Sequence, residues 1–318
     1  MDVVVTGAAG YIGGQIALSL SDTGHQVIGI DRRPCPTHLK DVFYNFIQAD
    51  FDSDQARTKL IQFQPNAIIH CAGTSLVGPS VKHPSDYYNN NVIKTIHLLD
   101  LVVNALPKTR FIFSSSAAVY GEPVEYTCSE HDPCEPMSPY GESKRMIEQV
   151  LASYHHAYRL DYVSFRYFNA CGADHLGRHG QEPGATHVIA RILEATRDRK
   201  QFSLYGNDYD TPDGTCVRDY VHVEDIAYAH TCALNAAVPS GVYNLGSNTG
   251  ISVKEVLTLA AAMIAGSVSV IPEPRREGDP AVLTANSAKF SKLMPTWRRY
   301  TLYDMIQHAW AWYVRKNP

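Results

Sequence analysis

Along the first half of the chain, short apolar runs alternate with segments whose apolar residues recur every three or four positions. The runs are DVVVT (2–6), QVIGI (26–30), YNFIQ (44–48), AIIH (67–70), RFIFSS (110–115) and DYVSFRYF (161–168), and they read as strands. Between them, YIGGQIALSLSDTG, SDQARTKLIQF and two stretches at about 85–106 and 139–159 read as helices. Strand–helix–strand repetition predicts a mostly parallel sheet with helices on both faces. Val3, Val4 and Val5, and then Ile68 and Ile69, are apolar at successive positions, as in strands buried on both sides. The expected fold is α/β, a doubly wound, Rossmann-type sheet.

Beyond about residue 170 the loops lengthen and fill with Gly, Pro and Asp, as in GADHLGRHGQEPGAT, YGNDYDTPDGT and EPRREGDP. Helices are expected near 186–198, 223–237, 252–264 and 301–315. The division this predicts is a nucleotide-binding domain over 1–170 and a smaller, loop-rich, mainly substrate-binding portion over 171–318. Strands from beyond residue 160 remain free to join the first sheet.

Composition narrows the function. The 318 residues suffice for a large core, and a net charge of -4 supplies no basic field for nucleic acid or an anionic membrane. The seven cysteines (35, 71, 128, 134, 171, 216, 232) make no C-x-x-C pair, so they read as reduced thiols and imply no metal site. No run approaches the roughly 20 apolar residues of a membrane span, and MDVVVTG enters a strand without a leader pattern. A soluble cytoplasmic protein is expected.

TGAAGYIGG (6–14) joins the first strand to the first helix and carries Gly7, Gly10 and Gly13. Missing side chains there let a pyrophosphate approach backbone amides at a helix N-terminus. A tight turn with no ligand has the same glycines; Asp31, ending the second strand, favours the dinucleotide reading. Its carboxylate would accept from ribose hydroxyls and repel a 2′-phosphate, which selects NAD over NADP. Arg32 and Arg33 beside it are of the type that binds that phosphate, and NAD is kept as the expected cofactor. Asp50, closing the third strand, is either an adenine contact or a solvated strand-end acid.

SPYGESK (138–144) supplies the candidate chemistry. Ser138 and Pro139 suit a helix start, which sets Tyr140 and Lys144 one turn apart on one face. A nearby ammonium and the helix N-terminus would lower the phenol's pKa, as a proton-transfer tyrosine requires. Ser114, Ser115 and Ser116 fall at a strand's carboxyl end, the ligand-binding edge of such sheets.

Together these residues resemble the extended short-chain dehydrogenase/reductases, and among them the enzymes that invert C4 of a UDP-hexose. The resemblance runs nearly end to end: TGAAGYIGG, HCAG (70–73), VGPSVKHPSDYYNNNV (77–92), FIFSSSAAVYG (111–121), SPYGESK, RYFNACGA (166–173), YGNDYDTPDGTCVRDYVHV (205–223), YNLGS (243–247) and RREGDPA (275–281). It implies that Ser116, Tyr140 and Lys144 form the catalytic trio. It implies that NAD lies against Gly7, Gly10, Tyr11, Ile12, Gly13, Asp31, Arg32, Asp50, Phe51, Cys71, Ala72, Gly73, Ser75, Asn90, Ser114 and Phe168. Asn169, His187, Val188, Ser203, Leu204, Tyr205, Arg218, Arg276 and Asp279 would hold the UDP-sugar, with Leu283 near the sugar 2-position.

The reaction so implied removes hydride from C4 to a firmly held NAD, turns the 4-keto sugar over and returns the hydride to its other face. UDP-glucose and UDP-galactose would interconvert, and their N-acetylhexosamine counterparts stay open because family members differ at the place of Leu283. Two further departures are Ser75, where a Lys or Arg is common, and His187, where an Asn is common. The alternatives are a UDP-uronate epimerase or decarboxylase and a non-catalytic NAD sensor. A 4,6-dehydratase would want an acid after Ser116, where Ala117 and Ala118 stand. Apolar stripes at Val92, Ile96, Leu99, Val103 and at Met146, Ile147, Val150, Leu151 either pack on the sheet alone or, as the family suggests, also form a homodimer's helix bundle.

Overall fold

The computed structural model describes all residues except 124, 183, 185, 265–267, 277–278 and 317–318. Its strands begin with β1 (Asp2–Thr6), β2 (Gln26–Asp31), β3 (Asn45–Gln48), β4 (Ala67–His70), β5 (Arg110–Ser116), β6 (Thr127–Cys128) and β7 (Tyr162–Tyr167). After them come β8 (Asn169–Cys171), β9 (Gln201–Tyr205), β10 (Val217–His222), β11 (Gly241–Leu245), β12 (Gly250–Ser252), β13 (Ser269–Glu273) and β14 (Val282–Ala285).

Seven strands form one wholly parallel sheet in the order β11-β7-β5-β4-β1-β2-β3. All six runs read as strands from the sequence are in it, and β11 joins from well beyond residue 170 as its edge. Alternate residues of β1 enter opposite cores. Val3 and Val5 pack with Ile16, Leu20, Ile69 and Phe165, whereas Val4 packs with Ile68, Phe111, Leu98 and Ile147. The strand order reverses between β1 and β4, so the carboxyl ends of these strands open a crevice for ligand.

The helix expected over 85–106 is interrupted. An α-helical turn, Pro84–Tyr87, leads into a π-helical stretch, Tyr88–Ile93, before α-helix resumes over Lys94–Ala105. The wider turn lets both Asn90 and the buried Asn91 reach Thr74, and this side-chain demand overrides the regular period. The helix expected over 223–237 ends at Cys232.

A second, mixed sheet runs β12-β10-β14-β6 with β8 beside β10, and β9 pairs with β13. The register sets Arg218 opposite Leu283 and Tyr220 opposite Asn169. All seven cysteines are free thiols. Among the described residues, no helix is long and apolar enough to cross a membrane.

Candidate active site

The glycine turn is closed backbone on backbone. Gly7 has φ +70°, and a Cβ there would lie 2.8 Å from the Ala72 amide nitrogen. A Cβ on Gly13 would come within 2.3 Å of the Gly7 carbonyl oxygen, so only glycine lets the helix Tyr11–Asp22 start this close to β1. The position capping that helix is Gly10, which offers no side chain to its first amides. A turn this tight, leading into a helix start whose amides meet no capping side chain, fits a dinucleotide pyrophosphate.

Asp31 ends β2 nearly buried and accepts hydrogen bonds from the Ala9 amide (3.0 Å) and the Arg33 amide (2.9 Å). The Arg33 guanidinium lies 3.3 Å from the same carboxylate, while Arg32 points to solvent. Asp50 is bound 2.6 Å from Lys94. Burial, the largest single influence, raises its carboxyl, but the Lys94 ammonium, the Asp52 amide and the Arg32 charge together outweigh it and hold the group below the usual range. Phe51 is buried against His70.

On the far side of the crevice, Cys71, Ala72 and Gly73 follow β4, with Gly73 resting against Asn91. Asn90 donates to the Thr74 hydroxyl at 2.9 Å, and Ser75 is exposed. Ser114 has turned its hydroxyl away from solvent, toward Cys71 Sγ (3.0 Å) and the Tyr167 hydroxyl (2.8 Å). Its carbonyl meets the helix of Tyr140 and Lys144.

That helix, Pro139–Tyr158, is capped by Ser138, whose hydroxyl accepts from the Gly141 amide, and Pro139 stands in its first turn. Lys144 is buried and donates to the Ser114 carbonyl at 2.8 Å, with its ammonium 4.7 Å from the centre of the Phe113 ring. Burial pulls its pKa down to about 8, against the opposing pull of Cys71 and Glu148. Tyr140 hydrogen-bonds to Ser116, whose hydroxyl also accepts from the Ala118 amide.

The structure overturns the expectation of a lowered phenol. Desolvation raises Tyr140, and the Ser116 hydrogen bond offsets this only in part. The ring is partly accessible from the crevice, but the ammonium of Lys144, 6.0 Å from its centre, is already engaged with Ser114. One turn of spacing brought the two groups to one face without putting the positive charge on the phenol oxygen.

Most of the residues expected to hold the substrate lie on the second sheet, on β9 and at the start of the helix Val188–Arg197. Arg218 is buried and ion-paired to Asp279 at 3.1 Å, and its strand neighbour Leu283 packs against the cluster of Ala117, Val119, Tyr120 and Phe168. This places Leu283 beside the turn that follows Ser116. Arg276 lies 4.2 Å over the Tyr205 ring on β9, the strand that also carries Ser203 and Leu204. Asn169 opens β8, and His187 stands just before the helix that starts at Val188, with its ring 6.5 Å from that of Tyr11. Tyr11 donates to the Gly172 carbonyl at 2.7 Å, which ties the nucleotide helix to the loop after β8.

A model of the NAD-dependent epimerase/dehydratase family matches residues 3–246. The chain belongs to that family. Among curated relatives, it is 41% identical to the UDP-glucose 4-epimerase of Halalkalibacterium halodurans over 100% of this chain and 97% of the relative. Among solved structures, it superposes on the UDP-glucose 4-epimerase of Brucella ovis in complex with NAD with a TM-score of 0.91 at 36% identity, covering 98% of this chain and 97% of that one. The UDP-glucose 4-epimerase of Bifidobacterium longum, in complex with NAD+ and UDP, gives 0.91 at 33% identity, covering 100% and 99%. The doubly wound fold and the enzyme class read from the sequence therefore hold, and NAD is the cofactor of this epimerase-family chain.

Several residues of the site escaped the sequence reading. Asn91 bonds Thr74 and Ser143, joining the crevice wall to the helix of Tyr140 and Lys144. Asp219, one residue after Arg218, gathers the amides of Ser247, Asn248 and Ala285. Tyr167 lies between Ser114 and His230. Glu148, one further turn along from Lys144, pairs with Arg166. The 140, 144, 148 spacing was the one available signal.

Proposed function

We propose that the protein interconverts UDP-glucose and UDP-galactose by inverting C4 of the hexose. The observation that carries this reading is the meeting of Tyr140, Ser116 and Lys144 at the end of β5, across the crevice from the glycine turn. Bound NAD supplies a hydride acceptor at C4 that returns the hydride within the same turnover. Tyr140 takes the proton of the 4-hydroxyl, and Ser116 hydrogen-bonds the same oxygen. Lys144, fixed by the Ser114 carbonyl with its ammonium 6.0 Å from the centre of the Tyr140 ring, would hold the nicotinamide ribose.

Gly7, Gly10, Tyr11, Ile12 and Gly13 would carry the pyrophosphate. Asp31 and Arg32 would meet the ribose, and Asp50 and Phe51 the adenine. Cys71, Ala72, Gly73, Ser75, Asn90, Ser114 and Phe168 would complete the cofactor wall. On the substrate side, Asn169, His187, Val188, Ser203, Leu204, Tyr205, Arg218, Arg276 and Asp279 would hold UDP. Binding energy spent on UDP leaves the hexose free to turn between the two hydride transfers. Leu283, an aliphatic residue packed beside the Ser116 turn, would be the residue that decides whether a 2-N-acetyl substituent is admitted.

The deciding experiment incubates the purified protein with UDP-galactose, with and without added NAD, and resolves the nucleotide sugars by proton NMR. UDP-glucose is the expected product; no product under either condition refutes the reading.

Two further points belong to this proposal. The exposed Ile93 and the partly buried Val92, Ile96, Val103 and Met146 support a homodimer built on these two helices, and a monomer mass by light scattering at micromolar concentration would overturn it. Free thiols, with NAD and UDP-sugars as ligands, support a cytoplasmic location, which cell fractionation checks.

A further inference from the structure

We propose that the buried Glu148–Arg166 ion pair is the positioning device of the catalytic centre, locking the helix of Tyr140 and Lys144 to the strand and turn that present Ser116. The proposal rests on the functional reading above, and its test includes a readout that needs no substrate.

The pair is tied to three elements at once. Glu148 Oε1 accepts from Ser115 Oγ at 2.5 Å, from Arg166 Nε at 3.0 Å and from Ser164 Oγ at 3.4 Å. Its Oε2 accepts from Arg166 Nη2 at 2.6 Å. The two side chains are 6–7% exposed, so the pair is out of water; Arg166 Nε and Nη2 are engaged by the carboxylate, while its buried Nη1 has no hydrogen-bond partner. Arg166 also lies 4.8 Å over the Tyr120 ring, and the Tyr120 hydroxyl donates to Asn244 at 2.7 Å. Ser116 thus sits between Ser115, bonded to Glu148, and the Ala117–Val119 turn that leads to Tyr120, stacked on Arg166. On the other side of the pair, Glu148 is two helical turns from Tyr140 and one from Lys144. Serine, phenol and ammonium are therefore referred to one buried pair.

The pair also sets the charge near Lys144. His70 and Cys71 face this ammonium from the end of β4, Tyr167 adjoins Cys71 from β7, and Tyr140 and Glu148 share its own helix. β5 presents only the Ser114 carbonyl and the Phe113 ring. Among the described residues, Glu148 is the one carboxylate acting on it, and Arg166 balances that carboxylate.

A purely structural tie and a positioning device differ in the sign of their electrostatics. Glu148→Gln leaves Arg166 uncompensated, which moves the alkaline limb of the kcat profile to lower pH by about half a unit or more. Arg166→Met leaves the carboxylate uncompensated and moves the limb upward. The double variant returns it toward wild type. The same order is expected for the midpoint of pH-dependent amine labelling of Lys144, read by peptide mass spectrometry without substrate.

Ser115→Ala, which keeps the ion pair but frees its strand anchor, lowers kcat several-fold with KM for UDP-galactose unchanged. This variant carries the test if the charge variants do not fold. Shifts of one sign in both charge variants, no shift in either, or wild-type kcat in Ser115→Ala overturns the proposal. Inactivity of the wild-type protein on UDP-galactose would refute the functional reading, while the labelling order would still decide this one.

Discussion

Lys144→Met should make the protein more stable relative to wild type near neutral pH and less so as the solution turns alkaline. Burial lowers the Lys144 pKa from the ordinary 10.5 to about 8. At 1.36 kcal/mol per pH unit this is roughly 3 kcal/mol of folding free energy lost to keeping the ammonium in the core. Below pH 8 both folded and unfolded chains carry the proton, and the cost is complete. Between about 8 and 10.5 the folded lysine gives up its proton while the unfolded one retains it. The unfolded state then binds more protons, so wild-type stability rises with pH. Above that window both are neutral and the cost is gone.

Methionine at 144 has no such dependence, although it leaves the Ser114 carbonyl without its donor. The measurable quantity is therefore the change with pH of the stability difference between the two proteins. Urea melts of both, with cofactor removed, at pH 7, 8, 9 and 10 should show wild type gaining about 2–3 kcal/mol on the variant. Titrating groups that do not face Lys144 cancel in the comparison. A difference that stays flat across this range refutes the reasoning, because Lys144 would then carry its proton at no cost. The variant should be inactive throughout, which would make the buried ammonium a stability cost retained for chemistry.

Tyr140→Phe should lower kcat by about 10²–10⁴-fold with UDP affinity preserved, and more than a tenth of wild-type turnover would exclude Tyr140 as the proton-transfer group. Gly13→Ala drives a methyl against the Gly7 carbonyl, so a loss of about 1–3 kcal/mol and weaker NAD retention are expected; an unchanged melting temperature would contradict the close approach. Arg218→Leu should weaken UDP binding by calorimetry by about 1.5–3 kcal/mol, and wild-type affinity would remove Arg218 from the substrate site. Leu283→Tyr should cut turnover of UDP-GalNAc relative to UDP-galactose by about 10–200-fold, and an unchanged ratio would show that Leu283 does not gate the 2-substituent.

The sequence by itself determined what depends on near neighbours. Apolar runs separated by helical periods identified the six strands that enter the parallel sheet, because a doubly buried strand must be apolar on both faces. Three glycines at a strand–helix junction located the nucleotide turn, and four-residue spacing put Tyr140 and Lys144 on one helix face. These are consequences of fixed local geometry.

Only the tertiary structure decided what those groups experience. It brought β10 beside β14 and β8, so that Arg218 meets Asp279 and Leu283 reaches the Ser116 turn across more than 60 residues of chain. It turned the Ser114 hydroxyl onto Cys71 and Tyr167, and it widened one helical turn so that Asn90 and Asn91 could both serve Thr74. It also reversed the expected direction of the Tyr140 pKa. Spacing along a helix sets which groups are neighbours, but desolvation comes from every element packed around them, and here burial outweighs the Ser116 hydrogen bond.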